Sequence, residues 1–444
     1  MQGRDAVLKM LRGLGWTVAG LLVLLAVVWS ASRMWPVPEA RLEARQRLET
    51  PLPAQGADGF ALLWTLPFDT LQAAEREQAL AEDVRRWNAA APGKGRQSSH
   101  LADDHPLLAP RAEASCGPTG DGCLAQVRAD PQRFIDAHAG HEGLHARLAR
   151  LAAAERFESP FRPTSAVFLV PVPAYGLVLD ATSAHALAYV QGDIEGALHG
   201  ACQGLQLGRR LLPGGGTLLD SSVGTRLLQS NAQLLADMLV ELPADHPLPP
   251  ACAQAMQPLA AQEQSLCRAM QGEFAMGRAS IESSAQEWAG VLVLDRPATL
   301  ARMAGNLGWA CGEAATRALA DDRPLQVPAP AQRDFGCLAN MMGCVLTDIA
   351  GPVYPAYAAR AQDAAAQVRL LAAQRWLRQQ QMAPAQALAQ LPAAYGSTVR
   401  RPQLSADGRR LQVPRRSPAQ GRGEDVWLSV PLQPAAPSSA AAGE

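Results

Sequence analysis

Residues 13–32 read GLGWTVAGLLVLLAVVWSAS and contain no charged side chain. As a helix, these twenty residues rise about 30 Å, which matches the hydrocarbon thickness of a bilayer. Trp16 and Trp29 lie toward the two ends, where an amphipathic ring suits the membrane–water interface. The stretch therefore predicts a transmembrane helix over residues 13–32, and it determines in which compartment the rest of the chain folds.

The residues before this span predict its orientation. Arg4, Lys9 and Arg12 precede it with only Asp5 against them. Positive residues remain on the cytoplasmic side of a membrane, so we expect residues 1–12 in the cytoplasm and the bulk of the chain in the periplasm. The predicted location is a bacterial inner membrane, crossed once.

A cleaved signal peptide is the competing interpretation of the same stretch. Ser30-Ala31-Ser32 would serve as a small-residue cleavage site. The apolar run is, however, longer than the roughly 7–15 residues of a signal-peptide core, which favours an uncleaved anchor. Both interpretations deliver the rest of the chain to the same compartment.

Composition excludes several functions. The formal net charge is −1, so no overall positive field would attract nucleic acid. Lysine occurs only at Lys9 and Lys94. A Schiff base, a P-loop contact or a Ser-Lys dyad would therefore depend on Lys94, which lies in a predicted loop.

Eight cysteines follow the apolar run, and an exported chain meets an oxidising compartment. Spacing suggests the pairs Cys116–Cys123, Cys252–Cys267 and Cys337–Cys344, with Cys202 and Cys311 left to join each other. Cys337 and Cys344 are predicted on one face of one helix, an awkward geometry for a bond, so each could instead reach another helix. No C-x-x-C pair occurs, and the cysteines are interpreted as a disulfide framework rather than a metal site.

Apolar periodicity predicts a mainly α fold, a bundle of about ten helices stapled by disulfides. Thr217 and Asp295 are residue types that begin helices, and Gly192-Asp193 is predicted to break a helix pair. Asp407-Gly408 between short extended pieces predicts a small β-hairpin, and residues 426–430 could add a strand to it. We divide the chain into a stalk (33–58), a helical domain (59–395), a hairpin element (396–432) and a disordered tail (433–444). Helices are predicted near 70–88, 131–156, 182–191, 194–211, 217–242, 249–258, 263–286, 295 onward, 334–350 and 355–382.

His141-Glu142-Gly143-Leu144-His145 matches H-E-x-x-H, the zinc-hydrolase pattern. On a helix, His141 and His145 would share a face and could bind zinc, with Glu142 as the general base that activates water. His138 lies one turn earlier on a similar face.

The context of this motif favours ordinary helix packing. Leu148 and Leu151 stand where the metzincin pattern needs Gly and His, and Gly140 and Gly143 weaken the helix. A glutamate at 155 or 158 would be unusually close in sequence for a third ligand. The leading interpretation therefore has no catalytic residue, cofactor or metal. In the alternative, zinc is bound by His141 and His145.

Residues 188–198 (AYVQGDIEGAL) resemble the turn of a tetratricopeptide-type helical hairpin, with Gly192 and Ala197 at two of its packing positions. Gly204 and Arg209 depart from that pattern, and no 34-residue repeat recurs. A single αα-hairpin is favoured over a solenoid.

Residues 59–68, 209–242 and 374–411 resemble, in arrangement, bacterial single-pass proteins with an Ala/Leu-rich helical periplasmic body and no known activity. The resemblance implies architecture only, without site residues. Because the sequence carries no complete catalytic set, we expect a non-enzymatic binding or scaffolding role in the cell envelope, with an envelope protein or the cell wall as partner. The alternative is a zinc-dependent hydrolase using His141, Glu142 and His145, and a substrate-binding or chaperone-like groove between helices is a third option.

Overall fold

The computed structural model describes residues 2–53, 56–69, 71–91, 94–116, 122–163, 170–284, 292–329, 331–418 and 426–434. The mainly helical fold with a small C-terminal β element is confirmed. The helices are α1 (Gln2–Arg33), α2 (Glu39–Glu49), α3 (Phe60–Trp64), α4 (Ala73–Ala89), α5 (Cys123–Ala129), α6 (Pro131–His138), α7 (Glu142–Ala152), α8 (Tyr175–Val190), α9 (Ile194–Gly214), α10 (Leu218–Leu239), α11 (Pro250–Ala255), α12 (Cys267–Ser284), α13 (Arg296–Leu307), α14 (Glu313–Ala320), α15 (Met341–Ala350), α16 (Tyr354–Arg378) and α17 (Pro384–Ala389).

The N-terminal helix α1 contains the predicted span. Its segment Met10–Arg33 has a mean hydropathy of 2.1, and none of its most apolar part is buried by the rest of the protein. Among the described residues it is the one helix long and apolar enough to cross a membrane. Orientation and cleavage remain predictions.

The segment predicted as a stalk (33–58) instead contains a packed helix. Ala44 and Leu48 lie four residues apart on one face of α2, and both are buried. That face packs on α13 and on the turn that follows it. Gly308 permits the close approach, because a Cβ atom there would lie 2.7 Å from the Ala44 Cβ. The charged residues of this segment cover its outer face, so its overall polarity concealed the two-residue apolar stripe.

The centre of the body consists of α8, α9, α10 and α16. Gly192, at φ +94°, reverses the chain between α8 and α9, and the two helices pack together as a single hairpin. The Asp193 side chain caps α9 by accepting from the Gly196 N–H. Thr217 and Asp220 form a reciprocal capping box at the start of α10. The predicted starts of α9 and α10 are thus confirmed, whereas α8 begins at Tyr175, about two turns before the predicted residue 182.

The sheet is antiparallel and has three strands in the order β1 (Gln403–Leu404), β2 (Arg410–Pro414) and β3 (Trp427–Pro431). Leu411 pairs with Val430, and both are fully buried. The sheet packs on α16. The predicted hairpin and the strand predicted over residues 426–430 are both confirmed, the latter as β3. Residues 435–444 of the predicted tail lie outside the described residues.

Four disulfides are present, and two of the predicted pairs are wrong. Cys116–Cys123 and Cys337–Cys344 form as spacing suggests. The other bonds are Cys202–Cys252 and Cys267–Cys311, in place of Cys252–Cys267 and Cys202–Cys311. The reason is helix packing: α9 lies against α11, and α12 lies against the turn that holds Cys311.

The observed geometry of Cys337 and Cys344 also differs from the prediction. Cys337 lies in a 3-10 turn, Phe335–Leu338, and α15 begins only at Met341. The chain bends between them at Ala339 and Asn340, which brings the two cysteine Cα atoms within 5.9 Å. One continuous helix would have held them too far apart.

Candidate functional site

Four histidines lie together where α6, α7 and α8 meet. His138 ends α6, His141 caps α7, His145 lies in its first turns, and His185 comes from α8. The ring centroid of His138 lies 6.3 Å from those of His141 and His145, and the His145 centroid lies 6.4 Å from that of His185. The first three stand close together in the sequence, in the motif or just before it. His185 carries no signal in the sequence, because only helix packing brings that residue to the others.

These imidazoles are neutral at pH 7. Burial lowers the pKa of His138 to about 4 and the pKa of His185 to about 3, and repulsion among the histidines adds to both shifts. Burial also lowers the pKa values of His141 and His145. Neutral rings can each donate one hydrogen bond and accept one.

The H-E-x-x-H motif does not lie on a single helix. The backbone turns at Gly140, at φ +79°, so the predicted helix 131–156 is split into α6 and α7. His141 precedes α7 as its N-cap residue. Glu142 is exposed, and its carboxylate accepts from the Gly140 N–H at 3.3 Å.

In the part of the chain that the structure describes, including the residues of the motif, no group of three or more His, Cys, Asp or Glu side chains is gathered so that it could hold a metal ion. Of the two glutamates weighed as a third ligand, Glu158 is paired with Arg156 at 2.8 Å. The zinc alternative gains no support from this geometry and stays a sequence prediction.

The His138–Ser183 contact resembles a nucleophile with its base, because Nε2 and Oγ are 2.8 Å apart. The serine is fully buried, however, and its hydroxyl lies within hydrogen-bond distance of two backbone carbonyls, those of Asp180 and Ala114, one of which takes its single proton. His138 Nε2 therefore donates to Oγ instead of taking its proton. The pair joins α6 to α8 and does not activate the serine.

A cavity of about 360 Å³ opens beside the histidines, between α7, α8, α9 and α10. His145, His185 and Asn231 contribute to its polar lining, and alanine, glycine and leucine form much of the rest. Glycines on α9 make room for these side chains. A Cβ atom at Gly200 would lie 2.3 Å from the His185 ring, and one at Gly204 would lie 2.6 Å from the Asn231 amide.

The cavity lining contains hydrogen-bonding atoms that the protein does not satisfy. Asn231 Nδ2 donates to the Leu227 carbonyl at 2.9 Å, but the buried Asn231 Oδ1 has no partner. The rings of His145 and His185 are only partly buried, and no described hydrogen bond reaches them. A buried polar atom such as Asn231 Oδ1 is ordinarily paired, and the two imidazoles offer both a donor and an acceptor, so this lining suits a ligand with both.

The neutral state of His185 predicts how stability depends on pH. Its pKa in the folded protein lies below the value of about 6.5 in an unfolded chain, so the unfolded state binds more protons between these values and stability falls as the pH drops. When the pH falls from 7.5 to 5, the unfolding free energy of His185→Asn should decrease by about 2 kcal/mol less than that of the wild type. Urea unfolding of the full chain in detergent at both pH values measures this difference.

The control for this comparison is His199→Asn, at an exposed histidine on the same cavity. It should keep the wild-type pH slope. Asp180 and Asp237, whose pKa values burial raises to about 6, act in the opposite direction, so the difference between variant and wild type isolates His185. Parallel curves for His185→Asn and wild type would contradict the prediction.

Comparison of this chain with protein families, with curated proteins and with solved structures finds no match. Neutral imidazoles and carboxamides around a small, partly apolar space recognise a polar group by paired hydrogen bonds.

Proposed function

We propose that this protein is a membrane-anchored binding protein of the bacterial cell envelope, and that the cavity beside the histidines binds a group of its partner. The partner would be an envelope protein or the cell wall. The N-terminal helix and its preceding positive residues support anchoring in an inner membrane with the body in the periplasm. Four disulfides, with no free cysteine among the described residues, support an oxidising compartment.

The observation that carries the binding role is the unsatisfied polar lining of the cavity. Asn231 Oδ1 can accept a hydrogen bond, and the rings of His145 and His185 can each donate one and accept one. The volume, about 360 Å³, lies at the lower end of ordinary ligand pockets. It suits one amino-acid side chain or one sugar unit of a larger partner.

Blocking the cavity tests this role. Ala149 lines it from α7, whereas Ala146 on the same helix is exposed. Thermal unfolding of the full chain in detergent would be followed with amino acids, short peptides and cell-wall sugars as probes. At about 100 times its dissociation constant, a bound probe adds about 2.7 kcal/mol to the stability. We expect such protection in wild type and Ala146→Phe, and its loss in Ala149→Phe.

Two results would overturn the proposal. One is that no probe of these classes protects the wild type. The other is equal protection of Ala146→Phe and Ala149→Phe, which would place binding elsewhere.

Metal analysis distinguishes this role from the zinc-hydrolase alternative. The purified full chain should contain no stoichiometric zinc. Zinc at one equivalent that is lost in His145→Ala and retained in His199→Ala would replace the binding role by a metal-dependent one.

A further inference from the structure

The segment 335–353 exposes its apolar side chains, an inversion of ordinary helix packing. It consists of α15 and the 3-10 turns on either side, Phe335–Leu338 and Gly351–Val353. Seven large apolar side chains of this segment are exposed to solvent by 37 to 71% of their surface. Together we call them the 335–353 face. They are Phe335, Leu338, Met341, Met342, Leu346, Ile349 and Val353.

The opposite side of α15 is the buried one, and it is small or polar: Gly343, Cys344 and Thr347. Between Asp334 and Tyr357, every residue classed as exposed is apolar. The one charged side chain in that interval, Asp348, is paired with Arg302 at 2.7 Å. A soluble surface helix has the reverse pattern.

Specific contacts hold α15 in this orientation. Asn340 Oδ1 accepts from the Asp295 N–H at 2.9 Å and from the Thr299 hydroxyl at 2.8 Å. The Thr347 hydroxyl accepts from Arg302 Nε at 3.0 Å. These bonds are buried or partly buried, so rotating the helix to hide its apolar face would leave polar groups unpaired.

The same segment contacts the end of the N-terminal helix. The Ser32 hydroxyl donates to the Phe335 carbonyl at 2.8 Å and accepts from the Ala339 N–H at 2.9 Å. The rings of Trp35 and Phe335 meet edge to face, with centroids 5.3 Å apart. Trp29, one turn before the end of α1, donates to the Leu292 carbonyl at 2.9 Å.

We propose that the 335–353 face lies in the interfacial layer of the same bilayer that α1 crosses. Through this face the body rests on the lipid surface beside the anchor. The occupant of the face is lipid. Ser32 belongs to the last turn of α1, and its bonds to Phe335 and Ala339 place the face at the depth where the chain leaves the membrane. Trp29 and Trp35 mark the same depth, because indole rings favour the interface. The inference rests on the proposed anchoring by α1.

This surface differs from a basic membrane-binding helix. Its exposed residues carry no lysine or arginine, so attraction to anionic lipid contributes nothing to its insertion. The contact should therefore form on uncharged lipid and persist at high salt. Docking of the body against the bilayer would fix the orientation of the cavity relative to the membrane surface.

Photo-crosslinking of the full chain tests the proposal. A benzoylphenylalanine would replace Ile349 on the face or Leu107, a 54% exposed leucine in the loop before α5. Both proteins would be reconstituted in phosphatidylcholine vesicles and irradiated, and lipid adducts would be measured by mass spectrometry. We expect at least tenfold more lipid adduct at position 349 than at 107, unchanged in 1 M salt. With the probe at Leu346, Ile349→Asp should lower the lipid adduct at least fivefold.

Equal lipid adducts at 349 and 107, or a crosslink from 349 to a second copy of the chain, would overturn the proposal. Alkaline carbonate extraction of the same vesicles separates the two levels of inference. If the chain is extracted, anchoring by α1 fails and the face proposal fails with it. If the chain resists extraction but position 349 captures no lipid, the anchor stands and only the face proposal is wrong.

Discussion

Replacing Asp322 by asparagine should lower the free energy of unfolding by about 3–5 kcal/mol, the range expected when one partner of a buried ion network is removed. The Asp322 side chain accepts from Arg369 at 2.7 Å, from Arg400 at 2.7 Å and from Arg416 at 3.0 Å. Asp363, which is fully buried, accepts from Arg400 at 2.8 Å. The network joins the end of α14, the middle of α16 and the segments on both sides of β1 and β2.

The imbalance of charge explains the size of this effect. Three guanidinium groups surround two carboxylates, so the loss of Asp322 leaves three cations with Asp363 alone. Burial by itself would raise the pKa of Asp322, but hydrogen bonds and charges from the arginines outweigh burial and hold the pKa below its usual value. The carboxylate is therefore ionised at neutral pH. Its contribution to stability is lost only as the pH falls below about 4.

Asparagine is the appropriate replacement because Asp322 has φ +47°, a conformation that asparagine adopts more readily than most residues. The matched control is the neighbouring Asp321→Asn. Asp321 is exposed, and its ion pair among the described residues is with the exposed Arg323, so its loss should change stability by less than about 1 kcal/mol. Urea unfolding of the full chain in detergent measures both variants. Equal effects of the two substitutions would contradict the prediction.

Removing the Cys202–Cys252 bond should cost about 4 kcal/mol. The bond is fully buried and links α9 to α11 across a sequence separation of 50 residues. A crosslink that closes a long loop stabilises the protein mainly by restricting the unfolded chain, by about 4 kcal/mol for a loop of this length. The double variant Cys202→Ala, Cys252→Ala would be compared with wild type by urea unfolding.

Loop length supplies the control. Cys337 and Cys344 are separated by only 7 residues, and the same entropy argument gives about 2.5 kcal/mol for that bond. We therefore expect the double alanine variant at 202 and 252 to be the less stable of the two. Non-reducing peptide mapping of the wild type comes first, because free thiols at 202 and 252 would contradict the bond itself. An equal loss for both double variants would contradict the loop-length argument.

Local chemistry explains the part of the fold that sequence predicted. Asp295 caps α13 as predicted, by accepting from the Ala298 N–H at 3.0 Å, and Gly408 takes φ +68° in the predicted turn. A cap or a turn depends on residues within a few positions of one another, so a short pattern is enough to identify it. The packed helix α2 could not be predicted in the same way, because Ala44 and Leu48 are its two apolar residues on one face among many charged ones. These two side chains become part of the core only when α13 packs on them.

The candidate site divides in the same way. His141 and His145 stand in one short motif, and sequence could identify them. The partners His185 and Asn231 come from α8 and α10, more than 35 residues further along the chain, and no spacing rule connects them to the motif. The glycines of α9 were visible in the sequence. That they leave room for the His185 ring and the Asn231 amide could not be predicted, because those side chains reach α9 only when α8 and α10 pack against it.

The sequence by itself determined an apolar N-terminal helix, a mainly helical body, the helix caps and the small β element. Each of these follows from interactions between residues close together in the chain. Only the tertiary structure decided which cysteines pair, which side chains surround the cavity, and that α15 turns its apolar face outward beside the end of α1. Those outcomes depend on which helix faces meet, and that choice is made by packing and hydrogen bonding across the whole body.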